Sequence, residues 1–186
     1  FAVLFLLIAF VACDKDNEST HIPDYFPLTT GSYWIYNSYQ IDSLGKEKLL
    51  GENDTFRIIG DTIIRGYVFS VYYGKQYVLP SLPIEQYFRD SSGYIVNEKG
   101  MIIFSQYNFT DTLFKNYFPG PNSNILEFGR MELCPDVIRV PAGIFEEVYN
   151  CKTTLTEYDP EEKQVGTADC LYAPDVGRIL RQNLFV

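Results

Sequence analysis

Val137-Ile138-Arg139-Val140-Pro141-Ala142-Gly143-Ile144-Phe145-Glu146-Glu147-Val148-Tyr149 sets a proline and a glycine between two runs of β-forming residues. Proline fixes φ near about −65° and glycine tolerates positive φ, so Pro141-Ala142-Gly143 predicts a tight reversal between antiparallel strands. A second hairpin is predicted at Asp159-Pro160-Glu161-Glu162, with proline at the favoured second position of a four-residue turn. A turn centred between Pro160 and Glu161 places Cys151 and Cys170 directly opposite one another. Opposed antiparallel residues hold their Cβ atoms about 4.5–5.5 Å apart, and a disulfide needs only a modest closer approach. The register therefore predicts a Cys151–Cys170 disulfide with Cys134 left over. Two other readings stay open: all three are buried thiols, or Cys134 takes one of the two partners.

Short β-type runs divided by turn chemistry continue upstream. Ser32–Ile41 holds Trp34 and five other large β-formers, and Asp42-Ser43-Leu44-Gly45-Lys46 supplies a turn. Thr55–Ile59 and Thr62–Ile64 flank a Gly60-Asp61 turn signal, and Tyr67–Tyr73 follows Gly66. Gln86–Arg89 and Tyr94–Asn97 flank Asp90-Ser91-Ser92-Gly93, and Met101–Ser105 is a further strand candidate. Pro119-Gly120-Pro121-Asn122-Ser123-Asn124 carries two prolines that no central strand accepts. Helical periodicity is nowhere sustained, although Leu79–Tyr87 and Asp111–Tyr117 are short helix candidates. The 186 residues suit one packed domain, and 15 Tyr with 14 Phe favour half-buried pleated surfaces. The expected fold is all-β and mainly antiparallel: a single strongly curved sheet or half-barrel, a meander of hairpins over residues 22–186, with few short helices.

Phe1–Ala12 (FAVLFLLIAFVA) is an uncharged apolar run, the length of a secretory signal core and shorter than the about 20 residues that span a bilayer. It closes on Phe10-Val11-Ala12-Cys13, which resembles the lipobox of bacterial lipoprotein precursors, with Phe10 where Leu is usual. The resemblance implies cleavage before Cys13 and lipid on that cysteine, a membrane anchor that places the chain in the cell envelope at the outer membrane. Asp14–Thr20 is a polar stretch suited to a tether that runs to residue 21. Its early acidic residues resemble a surface-export signal of one group of Gram-negative lipoproteins, so the domain faces either the periplasm or the cell surface. Asp14, Asp16 and Glu18 lack the glycine and terminal bidentate glutamate of a calcium loop.

Catalytic chemistry finds little material. The only histidine, His21, adjoins the tether, which disfavours Ser-His-Asp and Cys-His arrangements. Zinc is disfavoured because three thiols lie far apart with no CxxC pair. No phosphate loop or dinucleotide fingerprint implies a cofactor, and a net charge of −9 disfavours nucleic acid as partner. Carboxylates can perform glycoside hydrolysis, with Glu146, Glu147, Glu157, Asp159, Glu161, Glu162 and Asp169 as the pool. On a strand, however, Glu146 and Glu147 would point to opposite faces. Aromatic residues from Tyr67 to Phe109, among them Phe69, Tyr72, Phe88 and Phe104, either pack the sheet or line a concave ligand site.

Val140-Pro141-Ala142-Gly143-Ile144-Phe145 and Tyr172-Ala173-Pro174-Asp175-Val176-Gly177-Arg178-Ile179 together resemble the V-P-A-G-T-F and Y-A-P-G-V-G-x-V signatures of a group of uncharacterised bacterial envelope lipoproteins. Tyr25–Tyr36 and Tyr87–Tyr94 are similar to the start and centre of the same domain. This sequence departs at Ile144 for Thr and Asp175 for Gly. The resemblance implies a strongly curved antiparallel sheet, related in outline to half-barrel lipoprotein carriers, and no established activity. Asp42-Ser43-Leu44, Asp61-Thr62-Ile63 and Asp111-Thr112-Leu113 resemble O-glycosylation sites of lipoprotein-rich bacteria. The expected function is a non-enzymatic binding or structural component of the envelope, with a hydrophobic or glycan ligand in the curve of its sheet; the alternative is a carboxylate-dependent glycan-active enzyme.

Overall fold

The structure, a computed structural model, describes residues 22–51, 53–75, 83–120, 124–158 and 162–185. Strand accounts for 65% of the described residues and helix for none, and every pairing is antiparallel, so the all-β expectation holds. A six-stranded sheet curls into a half-barrel. Its spatial order is β1 (Tyr33–Tyr36), β4 (Asp54–Ile64), β5 (Tyr67–Lys75), β6 (Ile84–Asp90), β7 (Tyr94–Asn97) and β8 (Ile102–Ser105). The hairpin of β2 (Tyr39–Ile41) and β3 (Glu47–Leu49) stands apart between β1 and β4.

A second sheet faces the first, in the order β15 (Gly177–Phe185), β14 (Glu162–Ala173), β13 (Val148–Tyr158), β10 (Ile125–Cys134) and β9 (Phe114–Phe118). The remaining hairpin, β11 (Ile138–Val140) with β12 (Gly143–Phe145), turns at Pro141-Ala142 as expected. It covers the outer face of this sheet, where Ile138 and Phe145 pack on buried Val148, Leu171 and Ala173. The main core lies between the sheets: Phe56, Ile58, Tyr72, Phe88, Ile95 and Phe104 from the first meet Met131, Cys151 and Tyr172 from the second. Tyr25, from the segment before β1, is buried with them.

Several elements differ from the sequence reading. Both helix candidates give way to strands, with β6 beginning in Leu79–Tyr87 (79–82 lie outside the described residues) and β9 beginning in Asp111–Tyr117. Tyr and Phe pack well on a pleated surface and lose rotamer freedom in a helix, and no helical stripe opposes that preference. Ser32–Ile41 breaks into β1 and β2. Gly60-Asp61 is a bulge inside β4, where the register shifts between Ile58 and Asp61, and Gly60 takes a φ of 151°. The chain reverses instead at Arg65-Gly66, both at positive φ, which closes the Ile64–Tyr67 pair with the twist a hairpin needs. The run Ile144–Tyr149 breaks at Glu146-Glu147, with Glu147 at positive φ, so β12 and β13 are separate strands. Asp175 likewise adopts positive φ, a position where the resembled signature has glycine and where Asp is among the tolerated residues.

Gly74 shows how tightly the core is closed. A Cβ there would stand 1.9 Å from Phe56 Cδ1, and that buried ring is itself stacked on Tyr72 at 5.1 Å between centroids. Gly74→Ala should therefore cost about 1–3 kcal/mol as overpacking, read by chemical denaturation. In a Phe56→Leu background the same change should cost clearly less; equal costs would refute the steric account.

Candidate functional site

The two sheets are joined at one corner by side chains of β1 that reach the last turn and strand. Trp34 Nε1 donates to Val176 O at 2.7 Å, and the Tyr36 hydroxyl donates to Arg178 O at 2.8 Å. Beneath these bonds lies a cavity of about 400 Å³. Trp34, Tyr36, Tyr72, Phe88 and Tyr172 supply its aromatic wall, and Arg178 and Arg181 of the second sheet, with Lys99 from the turn after β7, its cations. Its volume falls within the range of about 300–1,000 Å³ usual for small-molecule sites.

A bulge on β15 sets the cations there. Tyr172 pairs with Arg178, Leu171 with Leu180 and Cys170 with Arg181, leaving Ile179 as an extra residue. Opposed residues share a face and successive residues alternate, so Tyr172 and Cys170 point inward together and carry Arg178 and Arg181 with them. In a regular strand two residues three apart would face opposite sides; the extra residue brings both arginines to the inner face.

Arg178 is half-buried against the aromatic wall, with its Cζ 4.9 Å from the Tyr36 ring centre and 5.5 Å from that of Phe56. Its Nη2 donates to the Tyr72 hydroxyl at 3.3 Å. Burial works against the charge, but Tyr72, Tyr36, Tyr172 and Cys170 hold the guanidinium pKa above its ordinary value, so Arg178 is a cation at any physiological pH. Burial also raises the Tyr72 and Tyr172 phenols, which therefore stay protonated. Glu85 and Glu98, from β6 and the turn after β7, line the cavity from the other sheet, and the Tyr87 hydroxyl donates to Glu85. A second hollow of about 550 Å³ near Asp24 and Asp90 carries no lysine or arginine. Burial, together with Asp90 and Asp175, raises the Asp24 pKa there.

The cysteine register is as predicted: Cys151 pairs with Cys170. The disulfide is not, since both are free thiols, as is Cys134. Cys151 Sγ points across the core and donates to Ile103 O of β8 at 3.4 Å, while Cys170 packs against the same core. Cys151 takes up a backbone partner across the core, and the strands are not drawn together as a disulfide would require. The turn itself differs, because Tyr158 pairs with Glu162 and a bulge between Leu155 and Thr156 restores the predicted register beyond it. Asp159, Pro160 and Glu161 lie outside the described residues, as do Cys13, the leader 1–12, the tether 13–21 and His21.

Of the described carboxylates in the carboxyl third, Glu146, Glu147, Glu157 and Asp169 are not among the residues that line the cavity. Glu147 sits at a corner where its carbonyl accepts from the Tyr25 hydroxyl, and Asp169 accepts from Asn150. Of the mid-chain aromatics, Tyr72 and Phe88 reach the cavity, Phe69 and Phe104 are buried elsewhere, and Tyr67 lies on the surface under Arg89. Among the tripeptides that resemble glycosylation sites, Ser43 and Thr112 are exposed outside strands, whereas Thr62 lies within β4 opposite Phe69. Tyr36, Tyr172, Arg178 and Arg181 were not legible as site residues. The available signal was an arginine placed directly after a turn in an otherwise apolar signature, Val176-Gly177-Arg178-Ile179. No family model, curated protein or solved structure matches the chain.

Burial pushes the Cys151 thiol from its ordinary 9.0 up to about 12. The unfolded chain then releases this proton from about pH 9 and the folded chain only near 12, so the unfolded state binds fewer protons in between. Stability from this group is complete below pH 9 and declines as pH rises toward 12. Denaturation at pH 8 and pH 11 should show the fall, reduced in Cys151→Ala, and native-state maleimide at pH 8 should modify Cys134 well before Cys151. Preferential labelling of Cys151 would contradict its placement.

Proposed function

We propose that this protein is a lipid-anchored component of the cell envelope that binds rather than turns over its ligand, holding an apolar molecule between its two sheets. The observation that carries the reading is the cavity walled by Trp34, Tyr36, Tyr72, Phe88 and Tyr172 at the corner of the two sheets. Aromatic rings offer large contact area at low entropic cost, and a concave apolar site with a few polar groups is the common form of a small-molecule pocket. Cys13 supplies the membrane attachment in this reading, at the outer membrane, and the likeness to the uncharacterised envelope lipoproteins agrees with such a role. Carboxylate-dependent glycan chemistry is the second reading, because Glu85 and Glu98 line the same cavity.

Trp34 is the sole tryptophan, so its fluorescence reports on the cavity without labelling. Titration of the purified protein with dodecanol should give a saturable emission change, and Ile103→Phe, which enlarges a lining side chain without adding a tryptophan, should weaken it at least tenfold. A linear, unsaturable response would overturn the binding reading. Activity on glycans abolished by Glu98→Gln would favour the second one. Expressed with its leader in a Gram-negative host, the protein should partition to membranes and incorporate labelled palmitate, and Cys13→Ser should abolish the label; a variant that is labelled as strongly as wild type would overturn the anchor.

A further inference from the structure

We infer that the cavity selects ligands with an anionic head, a carboxylate on an apolar body, and that Arg178 and Arg181 receive that head. The inference rests on the binding reading above and adds the chemical class of ligand. A guanidinium presents five N–H donors in a fixed fork that matches a carboxylate, yet among the described residues Arg178 makes one side-chain hydrogen bond, to the hydroxyl of Tyr72. Its remaining contacts are the faces of Tyr36 and Phe56, which steady a cation without accepting its protons in the fork plane. Among the described residues neither Arg178 nor Arg181 forms an ion pair; the ion pairs there are those of Glu132 with Arg130 and Lys152, elsewhere on the second sheet. The cavity's own carboxylates belong to the opposite sheet, and one of them, Glu85, is taken by Tyr87.

Two structural devices maintain this arrangement. The bulge at Ile179 turns two arginines to one face, which a regular strand would not do. Tyr36 fixes the backbone at Arg178 itself by donating to its carbonyl, so the side chain departs from a held position. A partly desolvated cation lacking a carboxylate partner is costly to maintain, and an incoming carboxylate removes that cost while its apolar body meets Trp34 and Phe88. A neutral molecule of the same length gains only the second contact.

The test compares dodecanoate with dodecanol by Trp34 fluorescence on the purified protein. Wild type should bind dodecanoate about tenfold or more tightly than dodecanol, as expected for a charge-assisted hydrogen-bonded pair. Arg178→Met should bring the two affinities within about twofold of each other, with circular dichroism and thermal melting checking that it folds. Arg181→Gln, at an exposed position that does not endanger folding, should lower the preference for the acid by about threefold. Equal affinities in wild type, or an undiminished preference in both variants, would overturn the anionic-head assignment while leaving the binding site intact. Saturable binding of neither probe would overturn the site and the inference together.

Discussion

Among the described residues the two large sheets share no backbone ladder, so their union depends on an aromatic seam supplied in part by the segment that precedes the first strand. Phe26 packs edge-on to Phe88 of one sheet at 5.4 Å and stacks on Tyr172 of the other at 5.7 Å, while Tyr25 stacks on Tyr149 at 4.0 Å. Each such pair contributes about 0.5–1.5 kcal/mol beyond the area it buries. The wedge is tied in place at its base: Asp24 N donates to Asp175 Oδ1 at 3.0 Å, and Asp175 N donates to Asp24 O at 2.8 Å. The β14–β15 turn is thereby pinned to the entering chain. The same turn offers Val176 O to Trp34, so the floor and the roof of the cavity are fixed by one short loop.

Strand class was legible because it needs only local information. Aromatic and β-branched runs punctuated by Gly, Pro, Asp and Ser identify strands wherever no helical stripe competes, and Tyr94–Asn97 emerged with the bounds read from the sequence. Bulges were not legible, because a bulge is a relation between two strands. Gly60-Asp61 carries turn chemistry, yet β4 runs through it with one extra residue opposite β5. The Cys151–Cys170 register shows the same limit from the other side. The predicted pair formed although the strands close with a different turn register, because the bulge beyond Leu155 compensates the shift.

The site was less legible than the fold for a related reason. Its residues come from seven strands, the entering segment and the turn after β7, so only tertiary closure brings Trp34, Tyr72 and Tyr172 together. Arg178 and Arg181 read in sequence as residues on opposite faces of a strand, and the irregularity at Ile179 that reverses this leaves no mark on composition or period. The carboxylates of the carboxyl third, which sequence alone made the natural pool for catalysis, scatter because β13 and β14 present them along the sheet and the Glu146-Glu147 corner breaks the strand between them.

An aromatic seam of this kind could be packed to full density with apolar side chains, and replacing a buried ion by a hydrophobe is often neutral or stabilising. The corner instead keeps a hollow and turns two cations toward it. Removing Ile179 from β15 would restore a regular ladder and send one arginine outward, so the extra residue works against simple strand pairing. Bulges concentrate where side chains must be re-aimed next to a site. The stability given up at this corner is the physical mark that separates it from the centre of the interface, where Phe104 and Met131 are completely buried.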